Sequence, residues 1–248
     1  MTKSLAEMLQ KTRGIILHQI KYTDSGIIAQ VYTREFGRRP VLIKGMRNKK
    51  AGKHNIFFQP MSILDMVLYI KESREVQMLK EFSVFFAPAD IYANVKKVSI
   101  AVFLSEILSS VLKEETPNGD LFDFIEGAVI YLDRSTSGYS NFHIAFLAGL
   151  CSYLGFEPGK RGCADEKYFD LVNGVFVSSP PLHNSFAEEN ISEVLAGFFT
   201  GSFDSAAKIP LTGFLRDEVL RTMIKYFSIH LPGLKKINSL EVLKDIFT

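Results

Sequence analysis

The stretch Ser62-Ile63-Leu64-Asp65-Met66-Val67-Leu68-Tyr69-Ile70 decides how the first third of the chain is read. Leu64, Met66, Leu68 and Ile70 alternate with Asp65, Val67 and Tyr69, the period of two that sends successive side chains to opposite faces of a strand. Outward from it, a turn at Glu72-Ser73-Arg74 leads to a strand over Glu75–Phe82. Toward the N-terminus, Arg13–Ile20 and Gly26–Thr33 are rich in Ile, Val, Thr and Tyr, with the turn-forming Lys21-Tyr22-Thr23-Asp24-Ser25 between them, and Pro40–Met46 makes a further strand. Five strands in about 80 residues is the size of a small barrel, and the five-stranded OB-fold is the commonest nucleic-acid-binding version of one.

From Pro88 the period changes to that of helices. Asn94–Leu112 carries Val95, Val98 and Val102 on one line and Ile100, Leu104, Leu108 and Leu112 on another, so much of this helix is apolar and belongs inside a core. Phe122–Leu132 and Asn141–Leu154 read as helices. So do the runs Ile191, Val194, Leu195, Phe198 and Leu215, Val219, Met223, Phe227, and a last helix begins near Leu240. Residues 156–188 interrupt them with Gly159, Gly162, Gly174, Pro180 and Pro181, an irregular loop in which Tyr168–Val177 can form a hairpin turning at Asn173-Gly174. The expected fold class is α+β: an N-terminal five-stranded OB-fold barrel over residues 1–84, then an all-α C-terminal domain over residues 85–248 with an irregular loop subdomain.

The net charge of +2 conceals an asymmetry. Residues 1–82 carry fifteen Lys/Arg against seven Asp/Glu, a balance of +8, whereas residues 83–248 carry fourteen against twenty, a balance of −6. A cationic half points to a polyanionic partner. Its centre is Arg34, Arg38, Arg39, Lys44, Arg47, Lys49, Lys50 and Lys53, set against the single acid Glu35. Such a segment suits phosphates, because neutralising them releases condensed counterions without base-specific geometry. Tyr32 and Phe36 are expected to stack on unpaired bases, while Phe57 and Phe58 are better read as core.

Other chemistries find little support. Gly155-Phe156-Glu157-Pro158-Gly159-Lys160-Arg161 superficially resembles a phosphate loop, but its first glycine is one residue too close to the Gly-Lys pair and Arg161 stands where Ser or Thr would hold magnesium. No histidine among His18, His54, His143, His183 and His230 has a partner at helical metal spacing. Cys151 lies in an apolar helical run and reads as an inert buried thiol; Cys163 and His183 alone do not complete a zinc site. There is no GxSxG elbow. The longest apolar run, Ile144–Leu154, is too short to span a bilayer, and the N-terminus lacks the form of a signal peptide. The expectation is a cytoplasmic, non-catalytic chain without cofactor or membrane partner.

Particular residues then carry a resemblance. Gly14-Ile15-Ile16-Leu17, Tyr22-Thr23-Asp24-Ser25-Gly26-Ile27-Ile28, Tyr32-Thr33-Arg34-Glu35-Phe36-Gly37-Arg38, Lys44-Gly45-Met46-Arg47 and Gln59-Pro60 resemble, in order and interval, the landmarks of the RecO N-terminal domain. Leu154-Gly155-Phe156-Glu157-Pro158 resembles the junction after a long helix in that family's second domain. The resemblance implies a bacterial, nucleoid-associated DNA repair and recombination mediator. It implies binding to single- and double-stranded DNA, annealing of complementary strands without ATP, a complex with RecR, cooperation with RecF, and loading of RecA onto strands coated by the single-stranded DNA-binding protein. Many members also carry a four-cysteine zinc site after that junction. Here only Cys163 stands near a matching place, so the zinc site is read as lost and the loop as held by Phe169, Leu171, Val175 and Phe176. The coating protein's acidic, phenylalanine-ended tail would need an apolar pocket beside basic residues, for which Arg216, Arg221, Lys225, Lys235 and Lys236 are the candidates. The alternative is a protein-interaction scaffold or RNA-binding OB protein that uses the same basic loop.

Overall fold

Leu64, Met66 and Leu68 of strand β4 (Ile63–Ile70) are buried, while Asp65 and Val67 between them stay partly exposed, as the alternation requires. The structure, a computed structural model, describes residues 8–23, 26–44, 55–71, 73–112 and 116–247. Around β4 stand β1 (Met8–Thr23), β2 (Gly26–Thr33), β3 (Gly37–Lys44) and β5 (Gln77–Phe86), closed into a barrel in the order β1-β2-β3-β5-β4. This is an OB-fold barrel, and with the helices that follow it makes the chain α+β. All pairings are antiparallel except β3 with β5, which meet through Val41↔Gln77 and Leu42↔Met78. Pro40, which has no N–H for a ladder, stands just before the β3–β5 pairing begins at Val41.

The barrel core is Ile16, Ala29, Val31, Val41, Ile43, Leu64, Met66 and Leu68, with Phe58 from the 3-10 turn Asn55–Phe58 inserted among them. Phe58 is fully buried and meets Phe82 edge-on at 4.9 Å, and Phe57 packs on the same ring. At Gly14 the sheet leaves no room for a side chain: a Cβ there would stand 2.5 Å from Val31 Cγ1. The barrel strands differ modestly from expectation. β3 starts at Gly37, three residues before Pro40, and β5 runs on to Phe86.

Two compact units divide the chain at Arg134/Ser135, fifty residues beyond the expected boundary at 84/85. The first unit includes α1 (Ala89–Ala93), α2 (Val95–Val111) and α3 (Gly119–Arg134), which the sequence reading groups with the later helices. Polar contacts that sequence periodicity does not register hold them there. Ser105 of α2 donates to the Leu17 carbonyl of β1, and the fully buried Lys97 donates to the Asp90 carboxylate and, at 2.9 Å, to the Asp133 carbonyl. Asn94 caps α2 by accepting from the backbone N–H groups of Lys96 and Lys97.

The second unit is built on α4 (Phe142–Tyr153), nearly all of which is buried, as its apolar run requires. Gly155, at φ +84°, closes that helix, with the Phe156 N–H reaching back to the Cys151 carbonyl at 3.1 Å. The helices α5 (Glu189–Thr200), α6 (Phe203–Ala206), α7 (Gly213–His230) and α8 (Ser239–Phe247) complete the unit.

Within the irregular segment, β6 (Tyr168–Asp170) and β7 (Val175–Val177) form a hairpin turning at Gly174, φ +66°. β8 (Phe186–Ala187) joins the other edge of β6, a pairing too short to leave a periodic signal. Phe169, Leu171 and Phe176 are buried, but Val175 is 41% exposed: it lies on the outer face of the hairpin and does not hold the loop. Among the described residues no helix is long and apolar enough to cross a membrane.

Candidate nucleic-acid interface

The tight β2–β3 turn decides where the first cations point. The Thr33 hydroxyl donates to the Gly37 carbonyl at 2.7 Å and accepts from the Phe36 N–H at 3.1 Å, and Gly37 takes φ +63° to close the turn. From this turn the Arg34 guanidinium meets the Asp123 carboxylate of α3 through both Nη atoms. That ion pair raises the Arg34 pKa and holds the Asp123 carboxyl below its ordinary value. Arg38 donates to the Ser109 carbonyl at 2.8 Å, one of the last carbonyls of α2, and Arg39 donates to the Phe36 carbonyl at 3.0 Å. Lys44 is exposed at the end of β3. Arg47, Lys49, Lys50 and Lys53 lie outside the described residues.

The aromatic expectations divide. Tyr32 is 2% exposed, its ring stacks on Phe122 at 6.0 Å, and its hydroxyl donates to the Asn118 carbonyl at 3.4 Å. Burial pushes its pKa up to about 12. Tyr32 is therefore a core residue with no face for a base, which corrects its assignment as a stacking partner. The alternation of β2 sends Val31 into the barrel and Tyr32 to the opposite face, where Phe122 covers it, whereas Phe36, in the turn, stays half-buried.

Sequence reasoning passed over a second set of cations. Lys11 and Arg13, two residues apart on β1 and so on one face, line a groove of about 760 Å³ together with Arg34, Asp65 and Glu81. Arg13 lies over the Phe85 ring at 3.3 Å, with Asp65 at 2.9 Å and Glu126 of α3 at 3.3 Å. The i, i+2 spacing of Lys11 and Arg13 is the signal that could have found them.

In the second unit, Arg221, Lys235 and Lys236 line one groove of about 450 Å³ with Ile224, Leu234 and Ile237. Arg221 also pairs with Asp217 and Glu241. The other two candidates do not join them. Lys225 donates to the Asn184 carbonyl at 3.0 Å. Arg216 is half-buried and donates to Asn141 Oδ1 and to the carbonyls of Leu211 and Phe247; burial lowers its pKa. It is a structural clamp, and its place among the partner-binding residues is withdrawn. Zinc does not fit the residues present: Cys163 is exposed, His183 faces Asp170 at 3.2 Å, and among the described residues no group of three His, Cys, Asp or Glu could hold a metal ion.

A closed five-stranded OB barrel with a basic β3 edge, followed by helices, defines a class of OB-fold proteins with an appended helical domain. The family model described as "Recombination protein O N terminal" matches residues 8–86, and "Recombination protein O C terminal" matches residues 93–241. A DNA repair protein RecO from Phocaeicola vulgatus is 32% identical over 241 residues, covering 97% of this chain and all of the relative. Its counterpart from Azobacteroides pseudotrichonymphae is 32% identical over 240 residues with the same coverage, and one from Bacteroides fragilis is 31% identical over 241. The chain belongs to the RecO family of DNA repair proteins.

Proposed function

We propose that this protein is a non-catalytic recombination mediator that binds single- and double-stranded DNA, anneals complementary strands without ATP, and helps load RecA together with RecR and RecF. The observation that carries the reading is the charge of the barrel half: +8 over residues 1–82 in a chain whose remainder is −6, with eight cations between Arg34 and Lys53. Two strands held on one cationic surface lose part of their mutual repulsion and gain local concentration, which favours pairing without a nucleotide-driven step. Arg38, Arg39, Lys44 and the basic segment after β3 contact phosphates in this reading, and Phe36 offers a stacking face. The groove beside Arg221, Lys235 and Lys236 takes the acidic tail of the single-stranded DNA-binding protein, its apolar wall receiving the terminal phenylalanine. The work is done in the bacterial cytoplasm at the nucleoid.

The test is fluorescence anisotropy of the chain with a labelled single strand over a salt series, followed by addition of the complement without ATP. The reading expects a logarithm of affinity that falls linearly with log salt, and faster annealing. It also expects Arg47→Glu, Lys49→Glu, Lys50→Glu and Lys53→Glu together to weaken binding by orders of magnitude with the fold intact. Unchanged affinity in that variant would remove the basic segment from the mechanism.

A further inference from the structure

The groove on the outer face of β1, β4 and β5 is lined by two arginines that are already paired with carboxylates. Its rows are set by the ladder: Lys11 pairs with Val67, which in turn pairs with Glu81, and Arg13 pairs with Asp65, which in turn pairs with Ser83. Arg34 closes one end, which joins the groove to the basic stretch that begins there. Two of its cations are held at their guanidinium ends by α3, Arg34 by Asp123 and Arg13 by Glu126. Asp123 and Glu126 are three residues apart, neighbours on one helix face. A carboxylate facing both Nη atoms of an arginine occupies the bidentate geometry that a phosphate takes. The Arg34–Asp123 pair is open to water, with side chains 39% and 51% exposed, so it holds weakly and exchanges readily. The lining also carries the acids Glu35, Asp65 and Glu81, matched in number by Lys11, Arg13 and Arg34. Glu35 accepts from the Thr12 hydroxyl, Asp65 is tied to Arg13, and Glu81 lies on β5, across β4 from Lys11.

We propose that this groove is a second seat for a nucleic-acid strand, whose phosphates replace Asp123 on Arg34 and Glu126 on Arg13 while Lys11 takes a further phosphate. The inference rests on the DNA-binding reading above and adds to it a site apart from β3 and the segment that follows. The carboxylates of α3 are placeholders that keep the arginines extended and aligned in the absence of DNA. The ion pairs therefore oppose binding even as they fix α3 to the barrel.

The experiment compares the full chain with Asp123→Asn/Glu126→Gln and with Lys11→Glu, by anisotropy with a labelled oligothymidine over a salt series and with circular dichroism as the check on folding. The double variant is expected to bind at least about two- to fivefold tighter, the span set by releasing the exposed Arg34–Asp123 pair alone. Its salt dependence should steepen by about 0.7 in log–log slope for each phosphate gained. Lys11→Glu is expected to bind more weakly with a shallower slope. Binding by the parent chain that is unchanged or weakened in the double variant overturns the groove and leaves the general DNA-binding reading standing. Binding by the double variant alone supports the groove, and binding by neither overturns both. Should the double variant fail to fold, Lys11→Glu decides, and unaltered affinity there rejects the groove.

Discussion

The hydroxyl of Tyr226 on α7 donates at 2.8 Å to the carbonyl of Phe156, just beyond the end of α4, and the Tyr226 ring meets those of Phe156, Phe169 and His230. One side chain thus ties the irregular segment to the helical core. Burial raises the Tyr226 pKa, so the hydroxyl stays protonated and donating. We expect Tyr226→Phe to cost about 1–2 kcal/mol, because it leaves the carbonyl without this donor. Tyr226→Ala should cost about 3–5 kcal/mol through the added cavity. Urea unfolding of both variants measures this; equal losses would mean that the hydroxyl alone matters.

Because the segment is anchored by Phe169, Phe176 and Tyr226, chelation is expected to leave thermal stability unchanged. A midpoint lowered by EDTA and restored by zinc would refute this.

Lys97 is fully buried with its ammonium on Asp90 and the Asp133 carbonyl. Asp90 is 58% exposed and stays hydrated without its partner, so Lys97→Ala should destabilise the first unit mainly through the cavity left by the buried stem, by about 2–5 kcal/mol. Lys97→Met, which keeps the packed stem, should cost clearly less. Equal losses in urea unfolding would show that the ammonium, not packing, dominates.

His143 is buried, and desolvation, with the nearby positive charge of Arg216, lowers its pKa to about 3. The unfolded chain binds a proton below the ordinary value of about 6.5, while the folded chain does not until about 3. Stability from this group is therefore fully present above about pH 6.5 and falls as the pH drops toward 3, by an amount on the order of a few kcal/mol. His143→Leu should flatten the acid limb of unfolding free energy against pH; an identical limb would contradict the assignment.

The DNA-binding reading separates Lys44 from its neighbours. Lys44→Ala should lower the single-strand salt slope by about 0.7 without loss of stability. Arg38→Ala should also destabilise the first unit, because the Ser109 carbonyl loses its donor. Tyr32→Phe should leave DNA affinity unaltered, since the ring is covered by Phe122. Weaker binding by that variant would reinstate Tyr32 at the interface.

The sequence by itself determined what local periodicity and charge encode. The alternation of Leu64, Met66 and Leu68 gave the barrel strand, the spacing along Asn94–Leu112 the helix, and Arg34–Lys53 the basic stretch. Those signals are local because side-chain direction follows from backbone period alone. Only the tertiary structure decided which partner each side chain meets. It covered Tyr32 with Phe122, spent Arg216 on Asn141 and two backbone carbonyls, and brought Arg13 and Arg34 to carboxylates more than eighty residues away on α3. It also joined β8 to β6 and bound α1 to α3 into the barrel unit. Such contacts depend on chain closure between distant residues, and no pattern within a single element records it.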